Sequence, residues 1–375
     1  MFRVEFFPAQ QGDAIWIEYG APGAVHRVLI DAGTPATAPL IRQRIESLNR
    51  SDRRFDLLVI THVDTDHIGG VLKLLSKLPS GVKFDDVWFN AWPQIRNARS
   101  SKLGPIDGEI LTTALEKLKW PWNTHFGGAA VMVPKAGAPP ERTLRGGMRL
   151  TVLSPGEPQL ARLRAKWKRV VHDAGLDPKD KDRWKNLLAQ AARKGVKSSI
   201  LGEPNVKKLA RSEFEQDTAE ANGSSIALLA EFQGKSVLLA GDAFPTVLKD
   251  AIDRLCRARG VSKLKVDAFK LPHHGSGGNV SNELLAVVPS LRYVFSTSGA
   301  VFAHPDDEAV ARVIAAATAK KKTLHFNYTE ATIGKNYKKK RKRSLPSWNT
   351  AKLKREHKYD AQFPASDSDG MVIEV

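Results

Sequence analysis

The sequence predicts an α/β protein of layered sheet and helix, and three observations carry that prediction. Short β-branched and aromatic runs alternate with stretches of helical period in both halves of the chain. Four of those runs end directly in a cluster of His, Asp or Ser. Two strongly basic segments break or follow the rhythm without joining it.

In chain order, FRVEFF (2–7), AIWIEY (14–19) and RVLIDAG (27–33) read as strands, PLIRQRIESLNR (39–50) as a helix and FDLLVITH (55–62) as a buried strand. A helix over 68–78 and a strand at DVWFNAW (86–92) follow, then a helical period over 104–120 and the strand MRLTVLSP (148–155). From 160 to 220 the pattern dissolves into a basic helical insertion. The rhythm resumes with a hairpin, SSIALLAEF (224–232) and SVLLAGDA (236–243) joined by Gln-Gly-Lys, a helix through 250–259, and VDAFKLPHHGS (266–276) as strand and loop. A helix over 282–287, the strand LRYVFSTS, the helix DDEAVARVIAAATA and the strand TLHFNY complete the alternation. The polar stretch 334–358 is expected to stay out of the core, with MVIEV (371–375) as an edge strand. One domain over 1–375 is expected, with the insertion (160–220) inside it and a basic C-terminal extension at 320–360.

Composition narrows the function. The first residues show no basic segment followed by an apolar one, and no stretch approaches the roughly 18 uninterrupted apolar residues of a membrane span, so the expectation is a soluble cytoplasmic protein. The single cysteine, Cys256, has no partner for a disulfide or a thiolate zinc cluster, which leaves His and carboxylate as metal ligands. The net charge of +18 is concentrated: 320–358 holds 14 Lys/Arg against 2 Asp/Glu, and 160–215 holds 15 against 7. Such segments on a near-neutral body favour a polyanionic partner. Trp167, Trp184 and Trp348, set among basic residues, are candidates to stack bases.

THVDTDHIGG (61–70) places four potential ligands, His62, Asp64, Asp66 and His67, within six residues after an apolar strand. Imidazole and carboxylate suit zinc and manganese, and crowded carboxylates repel one another unless a cation relieves them. Asp242 in AGDA, His273, His274 and Ser276 in LPHHGS, and His304 in AHP repeat the arrangement at further strand ends. Two divalent ions in such a site lower the pKa of a shared water and clamp the oxygens of an in-line phosphoryl displacement. Asp66 would orient that water, and His304, with His274 and Ser276 less directly, would bind phosphate or protonate the leaving oxygen.

These motifs, with QQGDAIWIEYG and VLIDAG near the start, resemble the metallo-β-lactamase superfamily, and most closely its branch related to the extracytoplasmic nuclease domain of the DNA-uptake protein ComEC. The resemblance covers 1–90, 150–155 and 222–319. It implies a four-layer αβ/βα sandwich with the site between the sheet edges, and two divalent ions, Zn²⁺ or Mn²⁺. It further implies that His62 and Asp64 hold one metal, Asp66 and His67 the other, with Asp242 bridging and His273 completing the second metal's ligands. The chain departs from the common pattern at Asp64, where histidine is usual, and ahead of the hairpin, where Asn222 and Ser224 stand in place of a histidine. An oxygen-rich first site makes Mn²⁺ plausible beside Zn²⁺.

The expected function is hydrolysis of phosphodiester bonds, in DNA or RNA, with Ser276, Asn222, Lys339, Lys340 and Arg341 as substrate contacts. Two other classes fit parts of the sequence. A small-molecule phosphodiesterase or phosphorylcholine-type esterase leaves the charge unexplained, and a non-catalytic nucleic-acid-binding module leaves the ligand set unused. A β-lactamase is disfavoured by the carboxylate-rich site and the absence of an export signal.

Overall fold

A computed structural model describes residues 1–95, 106–173, 205–318, 320–342 and 348–375. Two sheets face each other. The first has six strands; the C-terminal Met371–Glu374 lies at one edge, followed in spatial order by Phe2–Phe6, Ile15–Ala21, Ala24–Ile30, Leu57–Val59 and Val87–Trp88. The second has eight, running from Tyr359–Gln362 through Lys322–Phe326, Arg292–Phe295, Ala268–Lys270, Lys235–Leu239 and Ala227–Phe232 to Arg149–Ser154 and Glu141–Thr143.

Strand periodicity explains the layering. Successive side chains of a strand point to opposite faces. Ile15, Ile17, Val28, Ile30, Leu57 and Val59 accordingly share one buried cluster with Leu150, Val152, Leu228 and Val237 of the second sheet. Their neighbours Trp16, Leu29 and Leu58 point the other way, onto Ile41, Ile45, Ile68 and Val71 of the helices Ala38–Glu46 and Thr65–Leu75. The outer face of the second sheet is covered by Pro245–Arg259 and Asp307–Ala315 through Leu248, Ile252, Val310 and Val313. Helix, sheet, sheet and helix form the four layers of the αβ/βα sandwich.

In each sheet antiparallel pairing gives way to parallel pairing toward one side: Ala24–Ile30, Leu57–Val59 and Val87–Trp88 run parallel, as do the five strands from Lys235–Leu239 to Tyr359–Gln362. Parallel strands put all their C-terminal ends at one rim, where open α/β sheets place ligands.

Several boundaries differ from the sequence reading. The helix read over 68–78 spans Thr65–Leu75, because Asp64 already serves as its N-cap residue. The strand expected over 86–92 pairs only through Val87–Trp88. The insertion begins with a regular helix, Glu157–Asp173, and resumes after the undescribed stretch with a short one, Val206–Ala210. The largest correction concerns 334–358, expected outside the core. The helix Glu330–Arg341 buries Ile333 and Tyr337, and Trp348 and Leu353 join the main core. Two apolar residues four apart make one buried face on an otherwise basic helix. Trp348, 4% exposed, is therefore no base-stacking surface, while Trp184 and the side chain of Trp167 lie outside the described residues. Among the described residues no helix is long and apolar enough to cross a membrane, and Cys256 is a buried free thiol.

Candidate metal centre

Every candidate ligand except Asp13 follows the C-terminal end of a parallel strand. Asp31 comes directly after Ala24–Ile30 in the left-handed region (φ 53°), and its carboxylate is fully buried. It accepts from Thr61 N at 2.8 Å and from Thr61 Oγ1 at 2.6 Å, which fixes the chain as it leaves Leu57–Val59. Asp64 then caps the helix Thr65–Leu75, and Asp66 and His67 occupy its first turn, where a helix N-terminus favours negative charge. Two glycines permit the close approach. A Cβ on Gly12 would fall 1.6 Å from Asp66 O, and one on Gly70 would fall 1.9 Å from Ala32 O. The 12–13 loop is thus pressed onto the 64–67 loop and delivers Asp13 from the far end of the sequence.

On the opposite rim, Asp242 follows Lys235–Leu239, and His273 and His274 follow Ala268–Lys270. Both histidines are left-handed, at φ 46° and 58°, a conformation that costs of order 1–3 kcal/mol per non-glycine residue and is retained where function requires it.

Asp242 stands at the centre, 2% exposed. Its Oδ2 lies 3.4 Å from His67 Nε2, 3.7 Å from His62 Nε2 and 3.8 Å from His273 Nε2, and its Oδ1 lies 3.5 Å from His274 Nε2. Asp64 Oδ2 is 3.7 Å from His62 Nε2 on the cleft's open side. Asp13 Oδ1 is 3.6 Å from His274 Nδ1, and Lys270, wholly buried, pairs with Asp13 from beneath.

Each imidazole is braced through Nδ1, so that Nε2 points inward. His67 Nδ1 donates to Asp31 Oδ2 at 2.8 Å, His62 Nδ1 to Thr61 Oγ1 at 3.0 Å, His273 Nδ1 to Asn279 Oδ1 at 2.9 Å and His274 Nδ1 to Ser296 O at 2.8 Å. This is how metal-binding histidines are oriented. The inward atoms His62 Nε2, His67 Nε2, His274 Nε2 and Asp242 Oδ1 are buried without a hydrogen-bond partner among the described residues. Orphaned polar atoms of this kind cost about 1–3 kcal/mol each unless something occupies the space between them. One ligand atom each from Asp13, His67, Asp242 and His274 all lie within 4.8 Å of one another, close to the roughly 4 Å that two ligands about 2.1 Å from one ion can be apart. The residues fit a divalent cation.

Electrostatics give the same answer. Burial would raise the Asp242 carboxyl, but His274, His67 and His273 around it hold it well below the usual carboxylate value. Burial opposes charging His67 and His273, yet the facing carboxylates win: Asp242 and Asp31 raise His67 well above its ordinary value, and Asp242 and Asp217 push His273 up to about 9. Burial and the neighbouring His67 push His62 down to about 4. Protons on imidazoles here supply the positive charge that a bound cation would supply instead.

Residues 9–120 match the family model of the metallo-beta-lactamase superfamily. No curated protein matches the chain. Among solved structures, the chain is similar to Zn(2+)-bound PqqB from Methylobacterium extorquens (11% identity, 100% of each chain covered, TM-score 0.38). It is also similar to a metallo-beta-lactamase with a HARLDQ motif from Cronobacter sakazakii (18% identity, 71% of each chain, TM-score 0.29). A third similar structure is MEM-A1, a subclass B3 metallo-beta-lactamase isolated from a soil metagenome library (12% identity, 71% of this chain and 76% of that one, TM-score 0.27).

Within this four-layer sandwich, the sequence-selected residues divide by position. His62, Asp64, His67, Asp242 and His273 meet around one point. His274, expected to act on substrate, stands deeper than His273 and faces Asp242 and Asp13 directly. Asp66 lies in the first helical turn, partly exposed, and its carboxylate makes no hydrogen bond or ion pair with a described residue. Asn222, expected to touch substrate, is buried, and its amide donates to Asp217 Oδ2 at 2.7 Å; Asp217 in turn lies 3.4 Å from His273 Nδ1. Ser276 is likewise buried and accepts from Gly278 N at 3.3 Å within its own turn. His304 stands at the rim, its ring 5.3 Å from His273, with Asp306 Oδ2 3.3 Å from its Nδ1. Arg341, expected as a free substrate contact, pairs with Asp306 at 2.5 Å, whereas Lys339 on the same helix is exposed and Lys340 half-buried.

Asp13, Asp31, Asp217, Asp306 and Phe302 were not selected from sequence. For Asp13 and Asp31 a signal existed, since both stand in the quoted segments QQGDA and VLIDAG. For the others a lone Asp or Phe in a loop carries none.

Proposed function

We propose that this chain is a metal-dependent hydrolase that cleaves phosphodiester bonds in nucleic acid, of the kind its motif resemblance to the ComEC nuclease branch suggests. The observation that carries the reading is the run of contacts from the basic tail to the centre. Arg341, in the last turn of Glu330–Arg341, pairs with Asp306; Asp306 adjoins His304; and His304 packs against His273. The lysines of that turn, Lys338, Lys339 and Lys340, with Lys342 just beyond, thereby stand beside the cleft mouth. Asn336 Nδ2, donating to Ser298 O at 2.9 Å, fixes the same helix to the loop that carries His304.

His62, Asp64, Asp66, His67, Asp242, His273, His274 and Asp13 are the residues that would hold one or two divalent ions, Zn²⁺ or Mn²⁺. When bound, such ions supply Lewis acidity and an acidified water. Asp66, whose carboxylate is unengaged, orients the attacking water. His304 is kept neutral near neutral pH because burial lowers its pKa, with Asp306 opposing in part, and it hydrogen-bonds the phosphoryl group or the leaving oxygen. Phe302, 51% exposed, stacks on His304 at 5.8 Å between ring centroids and offers a base the flat apolar surface that stacking requires. Lys339 and Lys340 neutralise flanking phosphates.

Purified protein incubated with Mn²⁺ or with Zn²⁺, and with labelled single- and double-stranded DNA and RNA beside a small bis-phosphodiester, tests the reading. The variant K338Q/K339Q/K340Q/K342Q should weaken binding to long nucleic acid and reduce the log–log salt slope by about 0.7–0.9 per lost contact, with small-diester hydrolysis unchanged. Unchanged nucleic-acid affinity and salt slope would refute it in favour of a small-molecule esterase.

A further inference from the structure

The two basic segments, separate in sequence, meet in space at the end of the second sheet opposite the metal centre. A cavity of about 570 Å³ opens there. Its walls come from Val206–Ala210 with Arg211, from the end of Asp307–Ala315, from the start of Lys322–Phe326, and from His357 and Lys358 just before Tyr359–Gln362. These are N-terminal strand ends, whereas His273, His304 and Asn327 follow the C-terminal ends of the same parallel set. The five residues of Lys322–Phe326 alone separate the two rims by roughly 13 Å.

Lys207, Arg211, Lys320, Lys321, His357 and Lys358 all line the cavity, and among the described residues no Asp or Glu does. Lys321 is partly satisfied by Asp360, 3.5 Å away. Lys207, Arg211, Lys320 and Lys358 form no ion pair with any described residue. One structural feature could have offset this charge, the carbonyl end of Asp307–Ala315 with its negative partial charge. That end is already occupied: buried Lys322 donates to Val313 O at 3.1 Å, to Ile314 O at 2.8 Å and to Ala316 O. A concave surface carrying four cations without an ion-pair partner among the described residues, its helix terminus already neutralised, favours a bound anion. Its volume falls within the range of small-ligand sites.

We infer that this cavity is an anion-binding exosite for a ligand with several adjacent phosphates. The ligand is either the distal backbone of a long nucleic acid whose scissile bond lies in the metal cleft or a free oligophosphate. The inference concerns binding alone and does not depend on the metal centre being a phosphodiesterase.

The test uses the full chain without added metal. Inorganic tripolyphosphate is titrated by calorimetry at constant ionic strength into wild type, K207Q/K358Q, R211Q/K320Q and the control variant K73Q/K77Q, whose lysines lie outside both the cavity and the cleft. The exosite predicts that both cavity variants weaken tripolyphosphate roughly 10-fold or more, as expected for losing charged hydrogen bonds, while the control variant binds like wild type. All substituted side chains are exposed, and the melting midpoint without ligand confirms folding. Equal affinity in wild type and both cavity variants, or a loss in the control variant as large as in the cavity variants, overturns the inference. Titration of ~4- and ~30-nucleotide strands, roughly 14 and 100 Å at 3.4 Å per nucleotide, separates the sources. Selective weakening of the long strand by the cavity variants assigns the exosite to substrate, and equal effects on both lengths assign it to a free oligophosphate.

Discussion

In the cleft, Asp13, Asp31 and Asp242 are buried, and His62, His67, His273 and His274 are each braced by a second side chain or a carbonyl. In the tail, ammonium groups stand exposed on a helix held by two buried residues, Ile333 and Tyr337. Like charge is tolerated in the tail because water and salt screen it. In the cleft that option is absent, so charge must be matched atom by atom, by Lys270 for Asp13 and by His67 for Asp31. Asp242 has only imidazoles around it, which is why a cation belongs there. Substitutions in the cleft should therefore be severe and local, and those in the tail graded and salt-dependent.

The sharpest contrast is expected at Asp242→Asn. An amide cannot supply two anionic oxygens to the surrounding groups. Bound metal measured by elemental analysis, and hydrolysis with it, should fall to ~1% of wild type or less, beyond the 10–100-fold typical of losing a supporting partner. Retention of full metal content would move the centre away from Asp242. Next comes His304→Ala, with a kcat loss of about 100-fold at undiminished metal content, the size typical of a lost general acid or base. Loss of metal in this variant would make His304 a ligand, and an unchanged rate would make it structural.

Phe302→Ala probes the boundary between the two regions. If Phe302 stacks a base, binding of single-stranded substrate should weaken by about 1–3 kcal/mol with salt slope and metal content unchanged, the reverse of the lysine variants. Equal affinity would leave the aromatic with no part in recognition.

The smallest effect concerns His325, which shows that the basic extension is also core. Burial, with Arg292 adding, pushes its pKa down to about 4, and neither ring nitrogen has a hydrogen-bond partner among the described residues. A histidine depressed in the folded state is neutral there while the unfolded chain takes up a proton below about pH 6.5. Stability is therefore lost as pH falls from 6.5 toward 4, by about 2 kcal/mol between pH 7 and pH 5. Urea midpoints at the two pH values should show that decrement in wild type and lack it in His325→Gln. An equal pH dependence in both proteins would remove His325 as its source.

Much of the cleft was legible because its loops announce themselves locally. THVDTDHIGG, AGDA and LPHHGS each follow an apolar run whose period makes it a strand, and polar residues after a strand end project to a sheet rim. The assignment within those loops was less legible. That His274 stands deeper than His273 depends on two successive left-handed residues, which sequence pattern does not report. Asn222 and Ser276, read from the sequence as substrate contacts, are both buried in the support of their neighbours. The tail misled for a related reason: fourteen cations in 320–358 obscured the few apolar residues, Ile333, Tyr337, Trp348 and Leu353, that fold it onto the body.

By itself, then, the sequence determined the order of strands and helices, the layered class and the ligand-bearing loops, because each is set by side-chain periodicity and chemistry within a few residues. Only the tertiary structure decided that Asp13 reaches the centre from ahead of its strand, through the contact of Gly12 with Asp66. It alone decided that Arg341 reaches His304 through Asp306, and that the two basic segments close one cavity at the far rim. Those juxtapositions join residues far apart in the chain, and sheet order and register fix them by burying the greatest apolar surface between two facing sheets, a constraint that no local window of sequence contains.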